Sequence, residues 1–225
     1  PGVSGAAGLV LQRRAQLYPG LTNSADAWLN STLKTIAIDT CDDVGAEGPD
    51  YRLGHGIANA RSAVERVGQD YALGRGSLIK EFTLAPTQTV SWIVTSTGTQ
   101  PLSVTAAWSD PAGPALTSVT NADPVNPMLV NNIDIRVERV GATNVYLPWV
   151  LSPDLTNKTE AARSAAAARG VDNRNNVERV SIASPPAGDY RITVTHSGGL
   201  PGNPAPSTQK ISVALGGVTP PVPLI

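Results

Sequence analysis

Two histidines and one cysteine bound the nucleophilic chemistry open to this chain. Ser4 lies in Gly2-Val3-Ser4-Gly5-Ala6, one residue away from the G-x-S-x-G elbow that exposes a nucleophilic serine. That elbow needs a strand before the serine, and a triad needs His55 or His196 beside it with a carboxylate behind. The three residues before Ser4 are too few for the strand, so Ser4 is expected to be a small helix residue that permits tight packing. Cys41 and His55 carry no signature of a thiol–imidazole pair around them, and Cys41 is expected to act as a small apolar side chain. His196 closes a strand candidate before Ser197-Gly198-Gly199 and is expected at the surface or in a turn. So few His and Cys argue against a soft-metal site. Oxygen ligands are more numerous: Asp110, Asn131, Asn132, Asp134, Asp172 and Asn176 fall at strand ends or in loops, where Ca²⁺ is usually bound. The competing role for these side chains is turn formation, in which Asn and Asp hydrogen-bond their own backbone. Asn30-Ser31-Thr32 and Asn157-Lys158-Thr159 match the N-glycosylation pattern.

The elements that must hold these residues change period along the chain. Residues 1–68 predict helices. Leu9, Val10, Leu11, Leu17 and Tyr18 belong to the first, closed by Pro19-Gly20. Asn23 or Ser24 would cap a second that carries Ala25, Trp28, Leu29, Leu33 and Ile36 at helical spacing. A Gly- and Asp-rich stretch leads to a third, from about Ile57 to Val67. Residues 69–76 are expected to be a linker. From 77 to 216, short alternating segments such as Val90, Trp92, Val94 are punctuated by Pro, Gly, Asn and Ser. They predict a mainly β fold, an antiparallel β-sandwich of jelly-roll type. The alanine-rich stretch 159–170 interrupts it as a helical or flexible insertion, and 217–225 is an extended tail. The helices pose a packing problem. The small-residue face Gly5, Ala6, Ala7, Gly8 suits close approach to a sheet, yet no parallel strands are present to receive it. Residues 1–68 look like the outer layer of an α/β domain whose sheet is elsewhere. Their apolar face (Leu9, Leu17, Trp28, Leu33, Ile36) is then expected to be exposed, repacked on the sandwich, or buried in a dimer.

Composition narrows the partners. With a formal net charge of −1 and 16% charged residues, the chain lacks the basic surface that nucleic acid requires. A hydrophobic content of 41% is that of a globular protein. The lone Cys41 excludes an intrachain disulfide, and no apolar run reaches the roughly 18 residues of a membrane span.

Taken together, several stretches resemble the subtilisin-like serine proteases. The segment 1–14 is similar to the small-residue helix that follows the catalytic serine motif G-T-S-x-A-x-P, with Pro1 at its last position. Tyr51, Gly54, Gly56, Asn59 and Ala60 fit the Y-G-x-G-x-x-N-A pattern that leads the last helix of that catalytic domain. Trp108 and Asp110 match W-x-D. Leu129, Val130, Asn131 and Asp134 match L-V-N-D-L-D-L, with Asn132 where the family has Asp. Asn175, Asn176, Val177 and Glu178, then Gly188 and Tyr190, match N-N-V-E and the G-x-Y turn. The resemblance implies the C-terminal portion of a secreted endopeptidase: the end of a catalytic domain over 1–68, then a β-sandwich that supports it or binds substrate. It implies that the nucleophile lies four positions before Pro1 and that no triad residue falls within 1–225, so this chain alone would be inactive. The implied partners are the rest of the catalytic domain and a polypeptide substrate. No cofactor is required, with Ca²⁺ the one cation the sandwich would take. The departure at Asn132 puts in doubt a cation site built on that carboxylate. The rival class is a carbohydrate- or protein-binding sandwich module, favoured if Trp149 and Tyr146 lie exposed side by side.

Overall fold

The computed structural model describes residues 1–115, 126–151, 160 and 165–220. Among the described residues, three α-helices precede ten strands. Helix α1 is Gly2–Leu17, α2 is Asn30–Asp39 and α3 is Ala60–Leu73. The strands are β1 Ile79–Leu84, β2 Thr89–Ser96, β3 Leu102–Trp108, β4 Asn132–Arg139, β5 Val145–Tyr146, β6 Trp149–Val150, β7 Ala168–Arg169, β8 Val177–Ile182, β9 Gly188–Gly198 and β10 Gln209–Gly216.

Eight strands form two four-stranded antiparallel sheets, ordered β1-β10-β3-β8 and β2-β9-β4-β5. This is the order obtained when a folded-over ribbon of strands wraps into two sheets, the jelly-roll arrangement. The mainly β sandwich behind a small helical segment is the expected fold. Alternation drives it. Ile133, Ile135 and Val137 of β4, Tyr190, Ile192 and Val194 of β9, and Ile211, Val213 and Leu215 of β10 all point into one core with Val104, Ala106 and Trp108. The small β6–β7 pair stands outside both sheets.

The helices lie on the outer face of the β1-β10-β3-β8 sheet. That explains why β3 is buried at every position: Leu102, Val104, Ala106 and Trp108 face the core, and Ser103, Thr105 and Ala107 face the helical layer. The contact with α2 is largely polar. Ser31 and Thr32 meet Ser212 at 2.7 and 2.9 Å, and Asp39 accepts from Thr105 at 3.0 Å. Arg66 of α3 bonds both Asp39 and the carbonyl of Leu215. Glu81 of β1 supplies the cap that α2 lacks, accepting from the Leu29 amide at 2.8 Å and from the Thr32 hydroxyl. A second, smaller core of Val10, Ile36, Ala63, Val67, Ile79 and Ala214 completes the layer.

Several boundaries differ from expectation. A 3₁₀ turn at Ser24–Asp26 replaces the start of the second helix, which begins only at Asn30 with no side-chain cap of its own. The third helix starts later and absorbs most of the expected linker, running to Leu73. There Asp70 ties the exit by accepting from the amides of Gly76, Leu78 and Ile79. The start of the tail is not free: Thr219 exchanges two backbone bonds with Thr95, each 2.9 Å. The alanine-rich stretch lies partly outside the described residues, but Ala168–Arg169 is strand, not helix. Of the expected apolar helix face, Ile36 is buried and Leu17, Trp28 and Leu33 are half-buried, so those residues repack on the sandwich. Leu9 stays 50% exposed. No helix among the described residues is long and apolar enough to cross a membrane.

Candidate functional site

Motifs 20 to 76 residues apart in sequence meet at one end of the sandwich. Trp108, the last residue of β3, is 1% exposed and anchors the core. Its backbone is clasped by Asn176: the Trp108 amide donates to the Asn176 carbonyl at 3.2 Å, and the Asn176 side chain donates to the Trp108 carbonyl at 2.9 Å. Two residues on, Asp110 accepts from the amides of Val130 and Asn131 at 2.7 and 2.9 Å, which fixes the start of β4. Asn131 is wholly buried. It accepts from the Ser207 amide at 2.8 Å and donates to Gln209 at 2.7 Å. Asp110, Asn131 and Asn176 are therefore engaged in hydrogen bonds that tie together segments far apart in sequence, rather than in turns of their own backbone.

Asn132, Asp134 and Glu178 differ. Asp134 accepts from Ser197 and from Asn132 (3.3 Å), and Asn132 also donates to Asn173 at 3.0 Å. Glu178, 1% exposed, accepts from the Ile135 amide at 2.7 Å. Asp172, 3% exposed, accepts from the amides of Arg174 and Asn175 at 2.9 and 3.2 Å. Burial raises Glu178 well above the usual carboxylate range, and Asp134 and Asp172 add to the shift by repulsion. Burial also raises Asp134, against the Ser197 bond and with Asp172. Asp172 was legible as an oxygen donor in a loop. Asn173 and Ser197 were not, since nothing in their local sequence shows that the fold brings them here.

The remaining candidates scatter. Ser4 is exposed on α1, and a Cβ built on either Gly5 or Gly8 would meet nothing within 4 Å. The small-residue face is thus open rather than tightly packed. The carbonyl of Pro1 accepts the first helical bond, from Gly5, at 2.9 Å. Asn59 caps α3 by accepting from the Ser62 amide at 2.9 Å, and it donates to Asp42. Gly54 and Gly56 both have positive φ, and a Cβ on Gly56 would lie 2.3 Å from the Asp42 carbonyl oxygen, so only glycine fits there. Tyr51 is 51% exposed. Tyr190 is fully buried and donates to the Pro186 carbonyl at 2.8 Å. His196 corrects the surface expectation: β9 continues to Gly198, and the ring is fully buried, bonded to the Ser207 carbonyl at 2.9 Å and the Gly198 amide at 3.1 Å.

Cys41 donates to the backbone carbonyl of His55 at 2.7 Å, and burial raises its thiol. A thiol held up in pKa and turned to a carbonyl is not an activated nucleophile. Burial, with Arg179 and Lys34 nearby, lowers His55 to about 4. The unfolded imidazole protonates near 6.5 and the folded one only near 4, so the stability this residue provides is present above pH 6.5 and lost as pH falls toward 4. The loss is about 3 kcal/mol at most. Urea denaturation at pH 7 and pH 4.5 checks it: His55→Gln should show a smaller acid loss than the wild type, and an equal loss would refute the assignment.

Trp149 and Tyr146 are not exposed side by side: both are half-buried, with the Arg169 guanidinium 4.0 Å from the Trp149 ring centre and 5.8 Å from that of Tyr146. The Trp149 indole donates to Ser181 at 2.8 Å.

A groove of about 390 Å³ runs between the helices, lined among others by Val3, Ala6, Ala7, Leu33, Ala37 and Ala60. It is nearly all apolar, and Val10, Ile36 and Ala63 of the smaller core also line it.

No family model matches the chain, and no curated protein matches it. Among solved structures, it is similar to Aeromonas hydrophila PliG, a periplasmic lysozyme inhibitor of g-type lysozyme, at 11% identity over 63% of this chain and 90% of that one, with a TM-score of 0.27. A protein of Sulfurospirillum deleyianum matches at 7% identity over 60% of this chain and 97% of that one, with a TM-score of 0.26. Likenesses this distant leave the jelly-roll topology and the side-chain geometry as the basis for a functional reading.

Proposed function

We propose that this chain is the C-terminal, non-catalytic portion of a secreted subtilisin-like serine endopeptidase. In this reading α1 is the helix behind the nucleophile, where its free amides and dipole favour developing negative charge. The triad lies outside residues 1–225. The jelly roll supports the catalytic domain or holds polypeptide substrate away from the cleavage point.

The observation that carries the reading is the open apolar groove along α1. A helical layer that had evolved to close over a sandwich alone would bury its small-residue face. Here Val3 is 65% exposed, and Ala6 and Ala7 line a groove with space for further apolar groups. A sheet of the same domain would fill it. The alternative is a carbohydrate- or protein-binding sandwich module; Tyr146 and Trp149 are half-buried beside Arg169 rather than exposed side by side, which does not favour it.

Residues 1–225 should show no hydrolysis of denatured casein. The chain extended by its upstream coding sequence should hydrolyse it and lose that activity to a serine-directed fluorophosphonate. Ala7→Glu should leave the melting temperature of 1–225 nearly unchanged but abolish activity of the extended form. An extended chain that neither cleaves casein nor reacts with the reagent would refute the reading.

A further inference from the structure

We propose that the cleft at the end of the β1-β10-β3-β8 sheet binds a small zwitterion of the amino-acid type, with Arg179 taking its carboxylate and Asp42 and Asp43 facing its ammonium group. The inference does not rest on the protease reading. It begins with a buried cation. Arg179 stands opposite Thr105 in the β3–β8 register, so it faces the helical layer as Thr105 does. It is 8% exposed. A guanidinium so far from water is normally paired with a carboxylate, yet Arg179 forms no ion pair among the described residues. Only its Nη1 finds acceptors, the Cys41 Sγ and the His55 carbonyl, each at 3.5 Å. The carbonyl contact is at the outer limit of an N–H···O bond, and Nε is buried without a partner. The fork of donors that suits a carboxylate is thus largely unused by the protein.

Arg179 lines a cleft of about 920 Å³ where β3 begins and β8 and β10 end. That is ample for a small ligand. Asp42 and Asp43, from the loop after α2, line the same cleft. The Asp42 carboxylate accepts from the Asn59 side chain at 3.0 and 3.1 Å, and Asp43 accepts from the Gly48 amide at 2.9 Å. Neither pairs with a cation among the described residues, Arg179 included. Asp39 and Arg66 also line the cleft but neutralise each other. The cleft therefore presents separate, unpaired charges of both signs. A simple anion would be drawn to Arg179 and repelled by Asp42, Asp43 and Glu47, which lies in the same lining. A ligand with an ammonium group beside its carboxylate meets both signs. Ala72, Leu73, Leu78 and Val218 add an apolar wall, which suits an aliphatic side chain such as that of leucine.

The test titrates L-leucine into residues 1–225 by calorimetry, and one molecule should bind per chain. L-leucinamide, which lacks the carboxylate, should bind at least about 30-fold more weakly, because it leaves the buried guanidinium unpaired. N-acetyl-L-leucine, which lacks the ammonium group, should lose about 3- to 5-fold, the smaller effect expected at exposed carboxylates. Arg179→Met, which keeps the stem, should reproduce the leucinamide loss, and Asp42→Asn with Asp43→Asn the acetyl-leucine loss. In the wild type at pH 7, the Arg179 Nε–H resonance should shift with L-leucine and stay in place with L-leucinamide, a readout that needs no variant to fold. No binding of L-leucine, N-acetyl-L-leucine bound as tightly as L-leucine, or an Arg179 signal unmoved at saturation would overturn the site.

Discussion

Trp108→Ala is expected to lower the unfolding free energy by about 3–5 kcal/mol, the largest single effect in the sandwich core. The side chain is the largest fully buried one among the described residues. It sits at Ile211 in the β3–β10 register and packs in the central cluster. Removing it leaves a cavity that the two sheets cannot close, because β3 is held on both edges by β10 and β8. Its indole Nε1 has no partner, so Trp108→Phe gives up no hydrogen bond and should recover most of the loss. Urea denaturation of the three forms checks this, and a Trp108→Ala loss under about 1 kcal/mol would contradict the packing described.

Asp39→Ala should cost about 3–5 kcal/mol by a different route. Asp39 is 4% exposed and holds Arg66 and the Thr105 hydroxyl. Truncation strips the Arg66 guanidinium, whose side chain is 13% exposed, of its only carboxylate among the described residues, leaving it the Leu215 carbonyl and the Gln69 side chain at 3.3 Å. The pair joins α2 and α3 to β3 and β10, so the damage should appear first as release of the helical layer. Limited proteolysis should cut within residues 1–73 while the sandwich persists. Asp39→Leu with Arg66→Met, which removes both charges, should recover much of the stability. If Asp39→Ala melts as tightly as the wild type and its helices stay protected, the polar seam does not hold the layer.

That polar seam marks the limit of what the sequence makes legible. The sandwich was readable because apolar residues alternate in β2 (Val90, Trp92, Val94), β9 (Tyr190, Ile192, Val194) and β10 (Ile211, Val213, Leu215), with Pro, Gly, Asn and Ser punctuating the segments between strands. The start of helix α2 was misplaced because its buried face is mostly polar, Ser31, Thr32, Thr35 and Asp39 beside Ile36, a pattern that hydrophobic periodicity does not detect. Its cap comes from Glu81, about fifty residues away. His196 was misjudged because Ser197-Gly198-Gly199 has the composition of a turn, although pairing with β4 carries β9 through to Gly198. At the cluster, local spacing marked Asp110, Asn131, Asn132, Asp134, Asp172 and Asn176 alike as oxygen donors. Only their partners separate those with filled hydrogen-bonding capacity from those with orphaned oxygens, and the partners are set by tertiary pairing.

The account rests on the reading of α1 as a helix that follows a catalytic serine. The coding sequence immediately upstream of Pro1 tests it most directly. The account predicts codons for G-T-S-x-A joined to Pro1, with the histidine and aspartate of a triad further upstream. Any other sequence at those positions would contradict it.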